Sequence, residues 1–320
     1  MLRRREVLGG AAAAAAWLAA GGRAAAAKPD RSARALVLGV AQDGGLPHLG
    51  CTRSCCVLAR RDPSRSRRVA CVGLLAPGGE GSFLIDATPD LRSQAADLRE
   101  ASPNPVVPGR PVDGILLTHA HVGHYAGLIH LGREAMGAKA VPVHATPRLC
   151  EFIEANKPWS RLAEWGHIEL RPWPPGTSRE LAPDLRVEAI LSPHRDEDSD
   201  TVSFLVRGPS RALLYVPDTD RWALWGRDVA ALIGEVDVAL LDGTFFDAGE
   251  VPGRDPAEIP HPTMRQSMDL LARAAEKGRA RILFTHLNHS NPALDPASEA
   301  AAEITGRGFE VAYEGMEFAL

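Results

Sequence analysis

An apolar run that ends in three histidines within six residues restricts the fold of this chain more than any other stretch. It reads Ile115-Leu116-Leu117-Thr118-His119-Ala120-His121-Val122-Gly123-His124-Tyr125-Ala126-Gly127-Leu128. A short continuous apolar run suits a strand covered on both faces. Residues two apart on extended backbone share a side, so His119 and His121 aim two imidazoles at one point beyond the strand end. His124 falls where a helix would begin. Clustered imidazoles with this spacing read as a metal site with one ligand missing, because Gly123 has no side chain to offer.

Similar β-rich runs recur at 35–41, 69–76, 82–87, 114–119, 140–145, 185–192, 201–207, 211–217, 237–243, 281–286 and 309–314. Helical patterns fall at 89–100, 124–136, 147–155, 263–277 and 296–306. Strands apolar on both faces imply sheets covered on both sides, which fits an α/β, four-layer αββα sandwich with its ligands on loops along one edge. The Pro-rich stretches Pro103 to Pro111 and Pro172-Trp173-Pro174-Pro175-Gly176 read as connectors. Neither is long enough to separate a second domain, so 33–320 is expected to form one.

The histidine motif resembles that of the metallo-β-lactamase fold superfamily, His-x-His-x-Asp-His at the end of a core strand, with Gly123 in the Asp position. Further landmarks follow in the superfamily's order: Leu191-Ser192-Pro193-His194, Leu213-Leu214-Tyr215-Val216-Pro217-Asp218 and Ile282-Leu283-Phe284-Thr285-His286. Within the superfamily the chain is most similar to the pyrroloquinoline quinone biosynthesis protein B family. The matching stretches are Leu38-Gly39-Val40-Ala41-Gln42-Asp43-Gly44-Gly45-Leu46-Pro47, Asp242-Gly243-Thr244-Phe245-Phe246, Asn288-His289-Ser290-Asn291-Pro292 and Glu310 to Glu317.

The resemblance implies the αββα sandwich with its active site between the sheets. It also implies a first metal position formed by His119, His121 and His194. Asp218 would bridge to a second position, as ligand and catalytic carboxylate, and His124 and His286 would serve that second position. Without a carboxylate at 123, three outcomes are open: one metal only, a replacement ligand from a neighbouring loop, or no functional metal. Asp43, in a glycine-rich loop, and His261, held between two prolines, are the replacement candidates; both also fit as turn residues. His289 is expected beside His286 as an outer partner or surface residue.

Of five cysteines, Cys51, Cys55 and Cys56 follow His48 closely. His48, Cys51, Cys55 and Cys56 could form a structural zinc site of the type the resembled family often carries, and a disulfide among the cysteines is the competing reading. Cys71 and Cys150 lie among apolar residues and read as core thiols.

Residues 1–27 read as a twin-arginine export signal. Arg4-Arg5-Glu6-Val7-Leu8 precedes a weakly apolar Ala/Gly segment and small residues at Ala25 and Ala27. The expectation is a periplasmic protein, handed over folded and metal-loaded by the Tat translocase, with no stable membrane span once cleaved; an uncleaved N-terminal anchor is the alternative. A net charge of −4 argues against nucleic acid as partner. The basic runs at Arg60-Arg61 and Arg65 to Arg68 read as solvated surface. The functional expectation is a zinc- or iron-dependent enzyme, with one or two ions, acting on a small-molecule or peptide-derived substrate by hydrolysis or metal-assisted oxidation. The alternative is a non-catalytic quinone or small-acid carrier with a degenerate second site. Trp159, Trp165, Trp173, Phe245 and Phe246 are the aromatic residues available to stack on a substrate ring.

Overall fold

Continuous apolar runs become strands here because each strand is covered on both faces. The computed structural model describes residues 32–102, 107–250 and 260–320; the export-signal reading of 1–27 lies outside them. In chain order the strands are β1 (Arg34–Gly39), β2 (Cys71–Leu75), β3 (Ser82–Ile85), β4 (Gly114–Leu116), β5 (Val141–Ala145), β6 (Ile168–Pro172), β7 (Ser178–Ala182), β8 (Leu185–Ser192), β9 (Thr201–Arg207), β10 (Ala212–Val216), β11 (Val238–Asp242), β12 (Arg281–Thr285), β13 (Glu310–Val311) and β14 (Glu317–Ala319). Among the described residues they make two seven-stranded sheets, ordered β14-β1-β2-β3-β4-β5-β6 and β13-β12-β11-β10-β9-β8-β7.

The period-two alternation of each strand splits its apolar residues between two layers. Val37, Val72, Leu74, Ile85 and Leu116 of the first sheet face Val187, Phe204, Leu213, Tyr215 and Leu240 of the second in a central core. Their strand neighbours Leu36, Leu38, Leu75, Leu84 and Ile115 pack outward against the helices α2 (Leu91–Ala101) and α4 (Pro147–Ala155). On the far side Leu214, Val216, Leu241, Ile282 and Phe284 pack against α7 (Met264–Lys277) and α8 (Glu299–Gly306). These three apolar layers are the αββα sandwich the sequence pattern implies. The shorter helices are α1 (Ser54–Arg61), α3 (Val122–Tyr125), α5 (Trp159–Glu164) and α6 (Val229–Ile233).

Strand directions decide where the site lies. β3, β4, β5 and β6 are mutually parallel, and β1 runs with them because β2 is antiparallel to both β1 and β3. In the second sheet β10, β11 and β12 are parallel, and β8 shares their direction through antiparallel β9. The loops leaving β1, β3, β4, β8, β10, β11 and β12 all carry side chains that meet at one edge of the sandwich.

Two expectations change. The pattern at 124–136 predicts one helix, but α3 spans a single turn and passes into a 3₁₀ segment, Ala126–Leu131. His124 gives its carbonyl to the Ala87 amide (2.8 Å), and the Gly127 amide turns to the Ala87 carbonyl (2.8 Å), so the helical ladder is diverted to the β3–α2 loop. Gly127 is required there: a Cβ would fall 1.9 Å from the Thr88 carbonyl oxygen. The second change concerns β6, β7 and β14, whose polar or short sequences carry little strand signal because they border the sheets, where one side is open to solvent. The Pro172–Gly176 connector carries the chain from β6 to β7 and so from one sheet to the other. Its Trp173 is buried in the central core, with the indole N–H donating to the Thr177 carbonyl (3.1 Å).

Candidate metal centre

Asp218, just beyond β10, is the hub on which the predicted histidines converge. Its Oδ2 lies 3.3 Å from His119 Nε2, 3.8 Å from His121 Nδ1, 3.8 Å from His124 Nε2 and 3.8 Å from His286 Nε2, while Oδ1 lies 3.3 Å from His194 Nε2. Except for half-exposed His121, these groups are buried. β4 ends at Leu116, so His119 and His121 sit on the extended segment beyond it, and His121 precedes α3 with φ −79° and ψ 143°. The backbone is still extended there, which is why the two-residue spacing still brings both rings together.

The histidines are oriented from behind by oxygen partners that the sequence reading did not single out for this purpose. His124 Nδ1 donates to Asp86 Oδ2 (2.7 Å), and His194 Nδ1 donates to Asp220 Oδ1 (3.0 Å). Thr118 Oγ1 donates to Asp86 Oδ1 (2.9 Å) and therefore accepts from His119 Nδ1 (2.9 Å). Thr244 Oγ1 donates to the His286 carbonyl (3.3 Å) and accepts from His286 Nδ1 (3.1 Å). In all four rings Nδ1 is thus committed, which leaves Nε2 as the atom turned toward Asp218, with its lone pair there in the neutral ring. Asp86 and Asp242 each close an apolar strand just as Asp218 does, and that was the available signal; Thr118, Asp220 and Thr244 gave none.

Buried polar atoms are normally hydrogen-bonded. Here His119 Nε2, His124 Nε2, His286 Nε2, Asp218 Oδ1 and Asp43 Oδ1 are sealed from solvent with no hydrogen bond, and all five point into the same space. Asp218 Oδ1 is close to His194 and His261 without the geometry of a bond to either. Neutral imidazole nitrogens and anionic oxygens with their lone pairs converging are the donor set a divalent transition ion takes. The atoms form neighbouring groups, His119/His121/His194/Asp218 and Asp43/His124/His286, and Asp218 also groups with Asp242 and His261; within each group the atoms lie within 4.8 Å of one another. Both Asp43 and His261, the replacement candidates, reach the centre, but in different roles. Asp43 Oδ1 faces His124 Nε2 (3.4 Å) and His286 Nε2 (4.0 Å). His261 Nδ1 donates to Asp242 Oδ2 (2.9 Å) and lies 3.2 Å from Asp218 Oδ1.

Charge follows these contacts. Burial pulls the Asp218 carboxyl up, but His286, His194 and His261 together hold it well below the usual carboxylate range. Burial also raises Asp43, and the attraction of the nearby His124 and His286 imidazoles outweighs that and lowers it. Burial lowers His119 and His286. For His124 the opposing pull of Asp86 and Asp43 exceeds burial and raises it; for His194 that of Asp218 does the same. His261 is raised to about 9, because Asp242 and Asp218 outweigh its burial.

The cysteine cluster differs from its expected composition. Cys51, Cys55 and Cys56 are free thiols that converge on His289, not His48: the Sγ atoms lie 3.9, 3.7 and 3.5 Å from His289 Nδ1. His48 turns Nδ1 to the Leu49 carbonyl (3.0 Å), gives its backbone N–H to Cys56 Sγ (3.2 Å) and lays its ring on that of His289. His289 is therefore the imidazole of the cysteine site and not a partner of His286. Cys71 and Cys150 are buried core thiols. The aromatic candidates mostly pack elsewhere. Trp173 is in the core, Trp159 lies against Tyr125, Trp165 takes the guanidinium groups of Arg133 and Arg161, and Phe246 is buried behind the second sheet. Phe245 alone of the five neighbours the centre, 6.0 Å from the His261 ring.

A family model described as the beta-lactamase superfamily domain matches residues 82–287. The chain belongs to this superfamily. Among curated superfamily members it is similar to the coenzyme PQQ synthesis protein B of Methylobacterium radiotolerans, with 29% identity over 309 residues covering 90% of this chain and all of that protein. Among solved structures it is similar to zinc-bound PqqB from Methylobacterium extorquens, with a TM-score of 0.75, 26% identity, 90% of this chain and 100% of that one covered. A diphosphatase of the PhnP family shares the fold at a TM-score of 0.61 and 22% identity, covering 90% and 97%. The zinc-bound relative and the groups of convergent donors together support a divalent metal in this chain.

Proposed function

We propose that this chain is a metal-dependent hydrolase with a two-ion centre, acting on a small-molecule or peptide-derived substrate in a process related to quinone cofactor synthesis. The observation that carries the reading is the placement of Asp218, whose two oxygens reach both ligand groups. A carboxylate shared between two ligand sets suits a pair of ions a few ångströms apart, whereas a mononuclear oxidative site needs only one of the sets. His119, His121, His194 and Asp218 would hold the first ion, and His124, His286 and Asp218 the second. Ions bound there supply Lewis-acid polarisation of the scissile group and a lowered pKa for water.

The chain's own groups do the rest. Asp86, Asp220, Thr118 and Thr244 fix the imidazole tautomers so that Nε2 remains bare. His261, its Nδ1 proton held by Asp242 and its pKa raised to about 9, would carry a second proton on Nε2, the one it could give to a leaving group. A cleft beside His194, lined by Leu191, Thr201, Leu224, Trp225 and Pro175, offers an apolar wall for the organic part of a substrate. The cluster Cys51/Cys55/Cys56/His289 would take a structural zinc.

The same proposal places the mature protein in the periplasm after Tat export, on the strength of Arg4-Arg5 and the Ala/Gly segment that follows. Among the described residues no helix is long and apolar enough to cross a membrane. Metal analysis of anaerobically purified protein tests the function. Two zinc equivalents beyond the cysteine site, together with turnover of ester or phosphodiester probes lost in His121→Ala, are expected. A single iron equivalent would replace hydrolysis with oxidative chemistry, and no metal at all would leave the carrier reading. Periplasmic recovery that is abolished by Arg4→Lys/Arg5→Lys tests the export step.

A further inference from the structure

We propose that the second ion position takes its carboxylate from Asp43, on the loop after β1, and that Gly123 is the steric condition for this. The proposal rests on the two-ion reading and deepens it. A Cβ at position 123 would fall 2.1 Å from Asp43 Oδ1, 2.6 Å from Asp43 Cα and 2.8 Å from Asp43 Cγ. Position 123 and Asp43 therefore compete for one volume, and the chain fills it with the carboxylate of residue 43. No side chain at all, alanine included, fits at 123 unless the loop moves, because one of the close contacts is to backbone.

The loop is held where this requires. The Leu287 amide donates to the Val40 carbonyl (2.8 Å), and the Gln42 amide donates to the Leu287 carbonyl (2.9 Å), which ties the loop to the residue after His286. The Gly45 amide closes a turn on the Gln42 carbonyl (2.7 Å), with Gly45 at φ +65°, and the turn projects Asp43 toward α3. Asp43's side chain is 38% exposed as a whole, yet Oδ1 is sealed and makes no hydrogen bond. It faces Nε2 of His124 and of His286, both also without a bond. Three buried unpartnered donor atoms from three separate segments, the two imidazole nitrogens 3.4 and 4.0 Å from Asp43 Oδ1, are arranged for an ion and not for each other. His261 does not take this place: its Nδ1 donates to Asp242, and it groups with Asp218 and Asp242 and not with His124 and His286.

The test is zinc binding, measured by competitive titration and by metal content, in the full chain and in Asp43→Asn, Asp43→Ala and Gly123→Ala. Cobalt substitution monitors the cysteine cluster separately through its thiolate charge-transfer absorption, which also reports that the loop region is folded. Both Asp43 variants are expected to lose one equivalent, or to bind it about tenfold or more weakly, the least that even an outer partner of a metal ligand contributes. Gly123→Ala is expected to show the same loss with the carboxylate still present, because the loop is displaced. Wild-type zinc affinity and stoichiometry in the Asp43 variants, or in Gly123→Ala, would overturn the proposal while leaving the two-ion reading standing. Wild-type protein that holds no ion outside the cysteine cluster would overturn both.

Discussion

Asp86 is the group through which the fold sets the chemistry of His124, and Asp86→Asn isolates that role. Asp86 is fully buried, with φ +72°, a conformation asparagine tolerates better than other replacements. Its Oδ1 accepts from the Thr118 amide (2.8 Å) and the Thr118 hydroxyl (2.9 Å), and an amide oxygen would keep both. Its Oδ2 accepts from His124 Nδ1 (2.7 Å), and there the variant would place an NH2 group that can only donate. The imidazole then has to accept at Nδ1 and carry its proton on Nε2, the atom aimed at Asp43 and Asp218. Exchanging one charge-assisted bond for a neutral one should cost the metal-free protein about 1–2 kcal/mol, seen as a lower urea midpoint. Blocking the Nε2 lone pair should lower zinc affinity about 10–100-fold, measured against a chromophoric chelator. A destabilised variant that binds zinc as tightly as wild type would refute the tautomer argument and leave Asp86 a structural group only.

Three further outcomes are expected. His289→Ala should abolish the thiolate absorption of cobalt-substituted protein while His48→Ala preserves it, since the His289 imidazole nitrogen faces all three thiols and that of His48 turns to the Leu49 carbonyl; the reverse pattern would restore His48 as the ligand. Trp173→Ala should cost about 3–5 kcal/mol in chemical denaturation, because the ring fills the space between the sheets beside Phe204, and a loss under about 1 kcal/mol would show that the sheets close over the gap. Glu250 has its carboxyl raised to about 7, chiefly by burial, so its ionised form is disfavoured in the folded state. Wild type should therefore lose stability relative to Glu250→Gln as pH rises from about 4.5 to 7, and thermal melts at pH 5 and pH 8 should show the larger gap at pH 8.

Much of the architecture was legible in the chain because apolar runs covered on both faces have no other use in a globular fold. The strands carrying Leu213 to Val216 and Ile282 to Thr285 declare themselves by composition, and α4 starts at Pro147 behind a Thr146 cap as its sequence indicates. The edge strands β6, β7 and β14 were not legible, since an edge has little apolar face to reveal. The helix expected through 124–136 failed for a tertiary reason, the diversion of its hydrogen bonds to Ala87.

The sequence by itself determined which residue types would gather at the sandwich edge, because His119, His121, His194, Asp218 and His286 each follow a buried strand whose direction fixes where its loop emerges. It also showed that position 123 contributes nothing. Only the tertiary structure decided what stands in that place, and which imidazole joins the cysteines. Asp43 precedes Gly123 by 80 positions in the chain, and His289 follows Cys56 by 233. Neither pairing has a local periodicity to announce it; the β1 loop is laced by backbone hydrogen bonds to Leu287, which brings His289 to the cysteines and His286 to Asp43, and the sheets bring α3 with Gly123 to the same edge.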